Sequence, residues 1–320
     1  ERRSDLLGDA AREAGATEAG VEGGDLAGVG LGGPPPGLPD PERVADDELA
    51  LLLLCADPTL PRITRVMLTL KLGCGFSVEE IAAAFLMKPT TVAQRCVRAK
   101  RTLRQAGARP PEPTVALLRE RAPVLREVLY LLFTGGHAAA EGEGPVRADL
   151  CGEAIRLGRL MLRSPGGDTA PTRALMALCC LHGARLPARL GPDGLPRSLE
   201  EQDRSLWDRS LLAEGFHHLE ESARGSFMTR YHLEAGIAAV HASAASWPET
   251  NWRRVVELYD ELAARSPSAV LELNRAIAIA ELLGPEEALS TVERLADEPS
   301  LAAYHLLPAT LGALNRRLGH

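Results

Sequence analysis

Aromatic residues are scarce in this chain, 4 % of 320, and β-branched runs are few. Ala and Leu are abundant instead, which argues for helices and against a sheet-built core. No run of about 18 apolar residues occurs, so no membrane-spanning helix is expected, and no signal-peptide pattern opens the chain. The motifs HExxH, GxSxG, GKS/T and CxxC are all missing. Zinc-protease, serine-hydrolase, P-loop and paired-thiol chemistry therefore find no support, and an enzyme is not expected. Six cysteines (Cys55, Cys74, Cys96, Cys151, Cys179 and Cys180) lie mostly inside apolar helical stretches without paired spacing. A disulfide framework or a zinc site needs such spacing, so buried free thiols in a reducing cytosol are the expected state.

What is present is 45 % hydrophobic and 25 % charged residues, enough for a sizeable core and two or three domains. The formal net charge is -7. That balance excludes a generic nucleic-acid coat, and any DNA contact must be local. The first residue is Glu1 rather than Met, so the chain reads as beginning inside a longer one.

One local exception to the acidic balance stands out at residues 76 to 104, FSVEEIAAAFLMKPTTVAQRCVRAKRTLR. Ser77 followed three residues later by Glu80 is a capping-box signature, and Val78, Ile81, Ala82 and Phe85 then recur at helical spacing. Leu86-Met87-Lys88 breaks the pattern, and Pro89 suits the start of a second helix. There Val92, Cys96, Ala99 and Leu103 form one apolar stripe. From Lys88 to Arg104 there are six basic residues (Lys88, Arg95, Arg98, Lys100, Arg101 and Arg104) and no acidic one. Two short helices joined by a tight turn predict a helix-turn-helix, whose second helix can enter a DNA major groove. The competing reading is a solvated basic helix on an all-helical protein.

Along the chain, residues 1 to 20 read as a helix tail, with Leu6, Leu7, Ala10 and Ala11 near one face. Residues 21 to 41, VEGGDLAGVGLGGPPPGLPDP, are too rich in Gly and Pro to bury a core, and read as a flexible linker. Its GVGLGG lacks a preceding strand and is followed by PPP, which argues against a phosphate loop. Two apolar helical stretches between 42 and 72 complete a compact four-helix unit at 42–106. GARPPEP at 107–113 is a second linker. Residues 114–320 form a larger helical region, with apolar stretches near 114–133, 146–163, 170–183, 199–223, 229–245, 250–265, 268–282, 285–296 and 298–318. Within it, ASWPETNWRRVVELYDELAARSP is followed by SAVLELNRAIAIAELLGPEEALSTVERLADEP, with Pro267 and Pro299 at comparable ends. Paired helices at such a period resemble tetratricopeptide repeats, with an irregular helical bundle as the alternative.

Residues 66 to 104 resemble region four of bacterial RNA polymerase sigma factors of the extracytoplasmic-function (ECF) type. VLYLLFTGGHAAAEGEGPVRADLCGEAIRLGRLM, LEEQDRSLWDRSLLAEG, IAAVHASAA and LNRAIAIAELLGPEEAL resemble the tetratricopeptide-like C-terminal extension of one sigma subgroup. The resemblance covers roughly residues 42 to 320 and implies an all-α fold. A small helix-turn-helix domain is then followed by a larger tetratricopeptide-like one. It implies a scaffold helix at 77–85 and a recognition helix at about 90–104 that reads the −35 promoter element. Thr90, Thr91, Gln94, Arg95 and Arg98 would face the groove, and Lys88, Lys100 and Arg101 would hold phosphates. The implied partners are promoter DNA, core RNA polymerase and a protein or small-molecule regulator at the C-terminal domain. The protein would be cytoplasmic, off the membrane and without a cofactor. Nothing in residues 1 to 41 corresponds to region two, so the chain is not expected to initiate transcription unaided. An interaction scaffold whose helix-turn-helix does not bind DNA is the alternative.

Other side-chain groups are weaker candidates. His217-His218, His182 beside Cys179-Cys180, and His137 are the nearest approach to a metal cluster, but neighbouring helical residues diverge by about 100°. Glu200, Glu201, Asp203 and Asp208 surround Trp207 and suggest a polar loop entering a helix, or a salt-bridged hinge with Arg204 and Arg209. Gly135-Gly136-His137 reads as a helix end. His241 and His305 read as satisfied core groups.

Overall fold

The computed structural model describes residues 41–85, 87–138, 148–164, 166–302, 304 and 306–319. The linker and helix tail expected before residue 41 lie outside the described residues, as does His305. Among the described residues every long element is an α-helix, and the extended pairing is one isolated bridge between Leu190 and Pro196. The fold is all-α. The described chain divides at Val128 and Leu129 into two compact units.

The first unit holds α1 (Pro41–Cys55), α2 (Arg62–Leu72), α3 (Val78–Ala84), α4 (Pro89–Gln105) and the first half of α5 (Val115–Ala138). Leu49, Leu52 and Leu53 of α1 recur at helical spacing and are buried, as are Val66 to Leu70 of α2. The two helices meet closely at the end of α2, where a Cβ on Gly73 would lie 2.4 Å from Leu52 Cδ2. Gly75, at φ 69°, makes the left-handed turn into α3, a conformation costly for residues with a Cβ. Asp57 terminates α1 by accepting from the Thr59 N–H at 2.9 Å and its hydroxyl at 2.6 Å. The buried Arg121 of α5 then donates to the Leu53 carbonyl and, at 3.0 Å, to the Asp57 carboxylate. Farther along α5, Glu127 pairs with Arg62 at 3.0 Å.

The second unit runs from the second half of α5 through α6 (Ala148–Arg163), α7 (Ala170–Gly183), α8 (Arg209–Ser222), α9 (Arg230–Ser243), α10 (Trp252–Arg265), α11 (Ala269–Leu283), α12 (Pro285–Leu295) and α13 (Leu306–Leu318). Nearly every residue of α7 is buried, because α6, α8 and α9 all pack against it. A helix apolar all round needs neighbours on all sides. Glycines admit those neighbours: a Cβ on Gly158 of α6 would sit 2.0 Å from Met176 Sδ, and one on Gly215 of α8 2.8 Å from Leu181 Cγ. From α9 onward each helix packs on the next, and α11 also touches α13. Trp252 and Pro285, which open α10 and α12, are 33 residues apart.

Three expectations for this region change. The apolar stretch near 199–223 is helical only in its second part: the polar loop suggested by its acidic residues carries a 3-10 turn (Arg204–Leu206) and enters α8, with Asp203 and Asp208 each capping a new start. The salt-bridged hinge is not formed by Arg204. Its guanidinium lies 4.7 Å over the Trp207 ring and donates to the carbonyls of His241 (2.6 Å) and Ala244 (2.9 Å), ending α9. His241 is not a satisfied core group: its Nδ1 is buried with no hydrogen-bond partner among the described residues, and its ring stacks on Trp247. In addition, Gly135 and Gly136 lie within the last turn of α5 rather than beyond it.

Candidate nucleic-acid interface

The interface is built from α3, a turn and α4. The Ser77 side chain accepts from the Glu80 N–H at 3.1 Å, while Glu80 accepts from the Ser77 N–H at 2.8 Å. This reciprocal box satisfies two of the donors that a helix start leaves open. Phe85 ends α3, and Met87 N–H returns to the Ala82 carbonyl at 2.9 Å, which closes the turn. Lys88 precedes α4, Pro89 is its first residue, and neither an acidic residue nor a side-chain cap occupies its first turn. The positive end of the helix dipole therefore stays uncompensated, an arrangement that suits an anion.

Val92, Cys96, Ala99 and Leu103 of α4 are buried. Ala99 and Leu103 pack against Cys55, Leu60 and Leu68 of the first unit. This core is dry enough to push the Cys55 thiol up to about 12, burial outweighing the nearby Lys100 charge. Burial likewise raises Cys96. With about 100° between residues, the opposite face carries Thr90, Gln94, Val97, Arg98 and Arg101, all exposed. Thr91, Arg95 and Lys100 lie on its shoulders and are half-buried, and Lys88 is exposed at the entry. The eight residues singled out from sequence thus lie along one helix and its N-terminus, at two levels of exposure. Val97 was missed by sequence reasoning. It is 62 % exposed, and its helical phase, three residues beyond Gln94, was the available signal.

Elsewhere, His217 and His218 have ring centroids 5.7 Å apart, and His218 instead lies 3.5 Å from Glu214. Its pKa is lowered, by burial first. His137 meets His182 edge-on at 5.1 Å. Among the described residues, no three His, Cys, Asp or Glu side chains converge as metal ligands. In the second unit a cavity of about 490 Å³ opens between loops, lined by Glu200, Asp203, Arg204, Ser205, Ser246 and Trp247 among others.

Residues 51–103 match the family described as Sigma-70, region 4, and residues 121–223 match a family of unknown function (DUF6596). The first unit therefore contains a sigma region 4 helical domain, and the members of that family are transcription-factor domains. An uncharacterized protein of Rhizobium meliloti (strain 1021) is 37 % identical over 280 residues, covering 88 % of this chain and 66 % of that protein. The chain thus spans just under two thirds of that relative's length. No solved structure matches the chain. Among the described residues, no helix is long and apolar enough to cross a membrane.

Proposed function

We propose that this chain is the promoter-reading and regulatory part of a cytoplasmic sigma factor of the extracytoplasmic-function type. Its α4 enters the major groove at the −35 element, and its partners are promoter DNA and core RNA polymerase. The observation that carries this reading is the solvent-exposed face of Thr90, Gln94, Arg98 and Arg101 on a helix inside the region 4 match. Gln94 is suited to adenine, and arginines to guanine or phosphate. Thr90, Thr91, Arg95 and Arg98 face the groove, while Lys88, Lys100 and Arg101 hold phosphates.

The helices of residues 114–320 act as a tetratricopeptide-like regulatory domain. The 490 Å³ cavity is a place where a small regulator or a partner side chain can lodge. Binding of the full chain to duplex DNA tests the central reading. Arg101→Ala, which removes a phosphate contact, should weaken all sequences alike and reduce the salt dependence, whereas Gln94→Ala should cost about 1–3 kcal/mol at one base pair. If no duplex is retarded at low ionic strength, the transcriptional assignment is wrong.

A further inference from the structure

On the outward face of α4, Thr90, Gln94, Arg98 and Arg101 are polar or charged, and Val97 is the exception at 62 % exposure. An isolated exposed apolar side chain needs no explanation by itself. Its place does. A β-branched residue in a solvated helix position is a poorer helix former than Ala, so local stability does not favour Val here. Packing does not account for it either, because the buried stripe of α4 is complete with Val92, Cys96, Ala99 and Leu103.

The major groove presents one apolar feature among its donors and acceptors, the C5-methyl group of thymine. Resting on the DNA-binding reading above, we infer that Val97 determines specificity by packing its two methyl groups against one thymine methyl. The helix rises about 1.5 Å per residue, so Val97 lies about 4.5 Å along the axis from Gln94. This spacing is little more than one base step, which places the thymine in the pair neighbouring the one Gln94 reads.

The test begins by enriching duplexes from a random library on the full chain. Each thymine of an enriched site is then replaced singly by deoxyuridine, which removes the methyl group and leaves the pairing unchanged. Because Val97 is exposed and Ala is the better helix former, Val97→Ala should fold as the parent does. One position should lose about fourfold in affinity with the parent, the value of one buried methyl-sized group. The same replacement should have no effect on Val97→Ala, and Val97→Thr should keep only part of the discrimination. Deoxyuridine tolerated at every position, or an equal loss in parent and Val97→Ala, overturns the inference while leaving DNA binding intact. Failure to enrich any duplex overturns the DNA-binding reading itself, and the two failures are thereby distinguished.

Discussion

Arg121 is the most informative side chain to remove, because it ties the first half of α5 to the end of α1. It is 9 % exposed and donates to the Leu53 carbonyl and, at 3.0 Å, to Asp57. Burial raises the Asp57 pKa, but hydrogen bonds from Thr59 and the Arg121 charge outweigh it and hold the carboxyl below its usual range. At 3.0 Å and an effective dielectric of ~20, the gross attraction is about 5 kcal/mol, much of it offset by desolvation. Arg121→Met keeps the volume and removes both bonds. A lost charged hydrogen bond and an orphaned carbonyl together should cost about 3 kcal/mol.

No Trp or Tyr occurs between residues 41 and 128, so fluorescence does not see this unit and amide hydrogen exchange is the suitable assay. At pH 7, peptides covering α1 and α2 should exchange about 150-fold faster in the variant wherever global opening governs exchange. A depressed carboxylate contributes stability above its unfolded pKa and loses it as the pH falls through the folded value. The difference between parent and variant should therefore shrink in acid. Equal protection at pH 7, within about twofold (~0.4 kcal/mol), would refute the reasoning.

Two further tests concern the buried groups. His241, pushed down to about 4 by burial and then by Arg185 and Arg204, stays neutral in the fold while the unfolded chain takes up a proton near pH 6.5. The second unit should then lose up to ~1.4 kcal/mol per pH unit between about 6.5 and 4, and none of this above that window. Urea unfolding followed by the fluorescence of Trp207, Trp247 and Trp252 reads it. An acid-induced midpoint shift as large in His241→Asn as in the parent counts against the assignment. Cys151 and Cys180 are pushed up to about 12 by burial, and burial also raises Cys179 well above the usual thiol range. In contrast, Cys74 is only half-buried. Alkylation of the native chain at pH 8 should therefore mark Cys74 before these three, as mapped by mass spectrometry. Modification of Cys179 as fast as Cys74 would show that α7 is not closed.

The sequence alone determined what is encoded within a few residues. Ser77 and Glu80 cap each other three positions apart, and Val92, Cys96, Ala99 and Leu103 mark one face of α4. Both are properties of a single helix, whose turn and pitch are the same wherever it lies. The all-α class follows from the same local rules applied along the chain. Tertiary structure decided the rest. Arg121 finds Leu53 and Asp57 across 68 and 64 residues, and Arg204 leaves its acidic neighbours for carbonyls 37 and 40 residues away. A guanidinium has five donors and no sequence-local obligation, so its partners are set by which helix ends the fold brings within reach. The distinction between exposed Val97 and buried Val92 on one helix has the same origin. Identical side chains have the same propensity, and the packing of α2 and α3 against one face of α4 removes Val92 from water and leaves Val97 in it.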